Sequence, residues 1–344
     1  MGSKRRKATG LEAAVSLPRA FERSGARGGR WATERLLRSM QAGTGYNPAA
    51  LRTLDTLSKD EWVQFDEVAV RESVIRLRGV AALISRGLTI PIPNAMGKTF
   101  LQWEAVSDMN DAEVSMSGLD RTEDDAIENT LLQVPLPIIH KDFNVNLRTL
   151  NASRERGEAL DTLEAGIAGR LVAEMIEKMF FQGLTKKFGG ASVYGLTTHP
   201  DRNTIAIGTS WVTETGDNIV LKVLAMIQAL IDDRFFGPYI LFVPSNFGLG
   251  LERDLKANGT ISIRQRLLQI DQLVDVVIAD QLPASNVVLA QATRDVMAIA
   301  QGEPVQTIQW DLYGGMQLAF KVMAIQIPVI RSTKGNRSGI IHAS

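Results

Sequence analysis

The 344-residue sequence has no cysteine, which excludes disulfides, thiolate metal ligands and a thiol nucleophile. That absence is compatible with a reducing cytoplasm. No apolar run approaches the roughly 18 to 20 residues that span a bilayer, and the first residues lack the apolar centre of a secretory signal. A protein that is neither membrane-bound nor exported is the expectation. Histidine is scarce: His140, His199 and His342 stand dozens of residues apart with no partner at helical ligand spacing, so no metal site is expected. Nothing repeats at a fixed period, which argues against solenoids and propellers.

The usual catalytic patterns are missing too. Gly97-Lys98-Thr99 resembles the end of a phosphate loop, but the glycine required five residues before Gly97 is Ile92, and without it the backbone cannot cradle phosphate. Gly248-Leu249-Gly250 has two glycines of a dinucleotide fingerprint and Arg253 in place of the third. The acidic run Asp120, Glu123, Asp124, Asp125 and Glu128 lacks the ordering of a calcium loop and reads as a solvated face. His140-Lys141-Asp142 reads as a polar strand end before it reads as a general base. No nucleophile elbow or paired-histidine zinc motif occurs. Neither catalytic residues nor a cofactor are expected.

What is present is a large apolar fraction, 45%, enough for one large or two modest domains with a substantial core. Charge is balanced, 38 basic against 38 acidic residues, yet it is polarised along the chain. Within residues 1–38, Lys4, Arg5, Arg6, Lys7, Arg19, Arg23, Arg27, Arg30, Arg35 and Arg38 face only Glu12, Glu22 and Glu34, a net of +7. The other 306 residues carry 28 cations and 35 anions, a net of −7. A basic, glycine-rich arm on an acidic body suits contact with polyanions or with another subunit's acidic surface.

Beyond the arm, in which a short amphipathic helix fits residues 32–41, Ser58 and Glu61 form a capping-box pair that opens a helix. Trp62, Phe65, Val68, Ala69, Glu72 and Ile75 follow at helical spacing. Residues 88–131 read as a polar two-stranded excursion, which buries little of itself and makes most sense lying over a neighbour. Residues 132–146 read as an edge strand that tolerates Pro135 and Pro137. From Glu155 to Gln182 a helix is expected, with a stripe of Leu160, Leu163, Ile167, Leu171, Met175 and Met179 and a stop at Gly183. A second amphipathic helix fits 217–233. An α/β region follows, with short strands at 239–243, 274–279, 287–290 and 296–299 and helices at 246–256 and 262–273. Residues 316–330 read as one long strand with a shift at Met323-Ala324.

At Leu57-Ser58-x-x-x-Trp62-x-x-Phe65-Asp66-x-x-Ala69-x-Arg71 the sequence resembles the first helix of encapsulins, the bacterial nanocompartment shell proteins. Downstream, LLQVPLPIIHKDFNV (131–145), the helix 155–183 leading to VYGLTTHP, Gly237-Pro238-Tyr239-Ile240-Leu241 with Pro244, and the closing segment IQWDLYGGMQLAFKVMAIQIPVI keep that family's order. Together these pieces resemble a tailed-phage major capsid protein of the Hong Kong ninety-seven fold, in its encapsulin-like branch.

The resemblance implies an α+β fold of the Hong Kong ninety-seven capsid type. Its expected parts are a basic N-terminal arm (1–54), an N-terminal helix (55–87), an extended loop (88–131), a peripheral domain (132–215 and 301–344) with spine helix 155–182, and an axial domain (216–300). It implies a non-enzymatic subunit that assembles with itself, as pentamers and hexamers, into an icosahedral shell around phage double-stranded DNA. The location implied is a virion capsid assembled in the host bacterial cytoplasm. Lys98, Phe100 and Trp103 are then candidate intersubunit contacts of the loop, and the ten arm cations are candidate interior contacts to DNA phosphates. Portal, scaffolding or decoration proteins would be further partners, and no membrane is involved. Phage members can crosslink a lysine to a neighbour's asparagine. Lys98 is the loop lysine, but no local motif identifies its asparagine, so an uncrosslinked shell is expected. Two alternatives stand: a nanocompartment enclosing cargo enzymes, and a soluble α/β enzyme with an unrecognised site.

Overall fold

The computed structural model describes residues 59–106, 129–156, 162–256, 259–313, 316–333 and 335–344. The arm, the 32–41 helix, Ser58 of the capping pair and the acidic run after Asp108 lie outside them. Helix α1 is Lys59–Arg76, as the periodicity predicts, and after Leu77 the chain re-enters helix as α2, Arg78–Ser85. Strand β1 (Thr89–Pro91) and a 3-10 turn (Ala95–Gly97) lead into β2 (Phe100–Val106), which pairs antiparallel with β3 (Asn129–Pro135). The expected single strand 132–146 is broken: after β3, residues 136–138 leave the strand and β4 resumes at Ile139–Asn146. Pro135 and Pro137 lack N–H donors, so two separate strands replace one ladder.

The spine helix is shorter than expected. Helix α3 spans Leu147–Arg156 and the spine proper, α4, spans Leu163–Gln182. Gly183 ends it with φ +72, a left-handed conformation that glycine adopts without a Cβ penalty.

Two compact units result, with described residues of the first in 59–66, Asp142–Thr162 and Ile308–Lys321. In this unit α3 packs Leu147 and Leu150 on Leu318 and Phe320, with Phe143 and Val145 beside them. Phe143 stacks on Phe320 at 5.0 Å between centroids.

The second unit holds the larger core. Helix α5 (Gly216–Asp232) buries Ile219, Val223, Ile227 and Leu230 of the stripe its spacing predicts, and Ile231, the stripe's last member, is partly buried. It packs on a five-stranded sheet ordered β5-β11-β8-β6-β7, formed by β5 (Asn203–Ile205), β6 (Tyr239–Pro244), β7 (Leu273–Ala279), β8 (Val287–Gln291) and β11 (Ile340–Ala343). Every residue of β6 is buried, because a central strand covered on both faces needs no alternation. Helices α6 (Ser245–Leu251) and α7 (Ile263–Leu268) are shorter than predicted, α7 opening on a capping box of Ser262 and Gln265. Strands β5 and β11 join this sheet from segments that the reading along the chain did not identify as strands. They are only three and four residues long, too short to show a period.

A four-stranded sheet is ordered β1-β9-β10-β4, with β9 at Met297–Leu312 and β10 at Gln317–Ile330. The expected strand 296–299 is thus only the start of a sixteen-residue one. Gly302 and Pro304 hid the rest. A Cβ at Gly302 would lie 2.3 Å from that of Ala95, and β1 pairs with β9 only as far as Gln301, so Pro304 costs that ladder no hydrogen bond. In β10 every residue from Val322 to Ile330 is buried, so two-sided burial accounts for the change of phase around Met323-Ala324.

Candidate functional site

Helix α4 is apolar on two faces. One face buries Ala165, Ala168, Val172, Ile176 and Met179, each at most 2% exposed. Here α1 comes very close: a Cβ on Gly169 would lie 2.3 Å from the Ala69 carbonyl oxygen. The other face carries Ile167, Leu171 and Met175, which remain 38–40% exposed among the described residues. These three belong to the stripe that the sequence makes most conspicuous. That stripe points outward, with Leu163 64% exposed and only Met179 fully buried; Leu160 lies outside the described residues. Helical spacing identifies a face without saying which side the core occupies.

The buried face contains one acid. Glu177 is 1% exposed and accepts hydrogen bonds from the N–H groups of Gly79 at 2.6 Å and Val80 at 3.2 Å. These are orphan donors of the first turn of α2, so a side chain of the spine caps another helix. Burial pushes the Glu177 carboxyl up to about 7 against those two N–H donors, which pull it down; Asp280 adds to the rise and Arg78 opposes it. Glu177 belongs to no motif, but an acid four residues after Ala173 and eight after Gly169 sits on the small-residue face of the helix, a signal present in the sequence.

The hairpin of β2 and β3 supplies a second surface. Among the described residues the two strands pair only with each other, in a register that sets Leu101 opposite Val134 and Trp103 opposite Leu132. Opposed residues in an antiparallel pair share a face, so these four make an apolar face that is only half-buried. Gln102, Glu104 and Gln133 on the other face are exposed, and Gln102 bonds Gln133 at 3.4 Å. The base of the hairpin is anchored. Leu136 N–H donates to Thr99 O at 2.8 Å, and the Phe100 ring packs over Gly189.

Of the candidate loop contacts, Trp103 lies on the apolar hairpin face, Phe100 is committed to the anchor at Gly189, and Lys98 is exposed just after the 3-10 turn. They do not form one cluster, since Trp103 and Phe100 fall on opposite faces of β2. The ten arm cations lie outside the described residues. Among the described residues no group of three or more potential metal ligands is brought together, and no helix is long and apolar enough to cross a membrane. An open groove of about 510 Å³ runs beside β7; of its lining charges, Asp275 pairs with Arg86 at 3.0 Å and Arg264 with Glu252 at 3.2 Å.

Residues 49–343 match the profile of DUF6260, a family of unknown function. The chain belongs to the DUF6260 family. A curated relative of this DUF6260 protein is the type 1 encapsulin shell protein EncA of Myxococcus xanthus, 24% identical over 213 residues, which are 60% of this chain and 68% of EncA. Among solved structures, the virus-like particle from Pyrococcus furiosus superposes with a TM-score of 0.59 at 14% identity, over 81% of this chain and 97% of that one. The capsid of Myoviridae phage XM1 gives 0.60 at 12% identity, over 75% and 90%. The DUF6260 chain therefore has the Hong Kong ninety-seven-type capsid fold, and its sequence is similar to that of the encapsulin shell protein EncA.

Proposed function

We propose that this DUF6260 protein is a structural, non-enzymatic subunit that assembles with itself into an icosahedral shell, the major capsid protein of a phage enclosing double-stranded DNA. One observation carries the reading: the outer stripe of α4 and the apolar face of the β2–β3 hairpin are two extended apolar surfaces that the described chain leaves incompletely covered. An isolated two-stranded hairpin is marginal in water. A neighbour's hairpin laid over the spine stripe would dehydrate both surfaces, and many such contacts close a shell by avidity.

In this proposal the arm, hairpin, peripheral and axial parts keep the boundaries expected from the resemblance, pentamers and hexamers form around the axial parts, and no crosslink at Lys98 is required. The arm's net +7 favours DNA as cargo, because ten cations per subunit neutralise phosphates without reading sequence. Location in a virion built in the bacterial cytoplasm, with portal, scaffolding or decoration proteins as partners, follows from the phage reading. The relative EncA favours a second reading, a nanocompartment around cargo protein.

The test is Ile167→Glu combined with Leu171→Glu. Both positions are exposed, so folding should change by less than about 1 kcal/mol, while the protein shifts from megadalton particles to free subunits in size-exclusion chromatography and negative-stain images. Normal shells from this variant would refute the assembly surface. Nucleic acid surviving nuclease treatment inside wild-type particles separates the phage reading from the nanocompartment, and a wild-type protein that elutes as a small enzyme overturns both.

A further inference from the structure

Strand β11 lies between two partners, parallel to β5 and antiparallel to β8. At its centre His342 is 6% exposed, and both its ring nitrogens are engaged. Arg202 Nε–H can only donate, so His342 Nδ1 is the acceptor of the 3.3 Å contact. The ring proton therefore sits on Nε2 and is donated to Asn286 Oδ1 at 2.6 Å. The Asn286 amide is oriented by its own NH₂, which donates to Ala284 O at 2.9 Å.

The same arginine donates from Nη1 to the carbonyl oxygen of His199 at 2.7 Å. His199 is 7% exposed, and its Nδ1 accepts from the Asp201 N–H at 3.3 Å. Each imidazole is thus specified as neutral, and the nitrogen that an added proton would occupy is already an acceptor. On His342 that proton would confront a guanidinium N–H.

The surrounding charges reinforce this arrangement. Burial holds His199 below the ordinary value of 6.5; Asp201 works against the shift and Arg202 with it. Burial also lowers His342, and Arg202 adds to the effect. On the β5 side Asp233 is occupied by Asn203 and lies 3.8 Å from Arg337.

We propose that His342, Arg202 and His199 form an acid-released latch on β11: the neutral imidazoles hold the strand in the sheet, and their protonation beside Arg202 frees it. The latch belongs to the subunit and does not depend on the shell reading.

Deuterium exchange of the full-length protein, followed by mass spectrometry from about pH 8 to about pH 5, tests the proposal at histidine C2 positions and at backbone amides. After correction for intrinsic rates, amides of β11 should lose protection at least about tenfold more than those of β6 in the same sheet as pH falls from about 7.5 to about 5. His342 should titrate below 6.5. Loss of protection by β11 and β6 together, an unchanged β11, or a His342 that titrates at or above 6.5 would each overturn the latch. His342→Gln keeps a donor for Asn286 but cannot titrate and leaves only His199 to respond, so β11 should lose less protection at pH 5 than in the wild type. A full acid response in this variant also overturns the proposal, and if it fails to fold, the wild-type profiles decide.

Discussion

Replacing Glu177 with glutamine isolates the ionisation of the buried carboxyl on the spine helix while leaving one oxygen to accept the shorter bond, from Gly79; the loss of the Val80 acceptor is a cost that does not vary with pH. The folded-state value is raised from 4.5 to about 7, by burial above all. The folded protein therefore holds this proton more tightly than the unfolded chain does. Its contribution is fully present below 4.5 and is lost as pH rises through 7. At about 1.4 kcal/mol per pH unit, that gap amounts to roughly 3 kcal/mol. Urea unfolding of wild type and Glu177→Gln at a series of pH values gives the difference curve. Subtraction removes the other titrating groups, including His199 and His342, whose lowered values cost stability in the opposite direction, as pH falls below 6.5. The wild type should lose roughly 3 kcal/mol relative to the variant between about pH 4.5 and about pH 8. A flat difference curve, or one of opposite slope, would refute the assignment of a carboxyl kept protonated by its surroundings.

Three further outcomes are expected. Gly169→Val should destabilise the subunit by about 3 kcal/mol or more, because the new side chain meets the Ala69 backbone and not a side chain that can move; thermal unfolding of the variant measures it. Phe180→Ala should cost about 3–5 kcal/mol by opening a cavity beside Phe181 and Phe242, whose centroids lie 4.8 and 5.7 Å away, as denaturant midpoints will report. Removal of residues 1–38 should leave the unfolding transition within about 1 kcal/mol and lower the nucleic acid retained per particle, whereas unchanged DNA-filled particles would exclude the arm as the polyanion contact.

The amphipathic helix α5 was legible almost to the residue, since its one apolar stripe meets one core. Helix α4 was legible as a helix but not in its orientation. Its longer apolar residues Ile167, Leu171 and Met175 face outward, while glycines and alanines mark the inward face where α1 approaches. The hairpin of β2 and β3 followed from its polarity, yet its apolar face needed the register that pairs Trp103 with Leu132. Strand β9 was truncated in the reading because Gly302 and Pro304 ordinarily end strands; here one is required by Ala95 and the other lies beyond β1's last pair. The caps and latches on Glu177 and His342 join residues separated by 98 and 140 positions from their partners Gly79 and Arg202, a distance no local pattern bridges.

The position of β11 also constrains how a nascent subunit matures. Residues 287–291 leave the ribosome before 340–343, yet β8 and β5 are joined in the sheet only through β11. Until the later segment has been synthesised, β8 offers an unpaired edge to any passing chain, and such long-range pairing is slow to form. Completion of the sheet is thus tied to synthesis of residues 340–343. A truncated chain that lacks them would carry that adhesive edge, and such chains should associate out of register instead of waiting as well-behaved subunits.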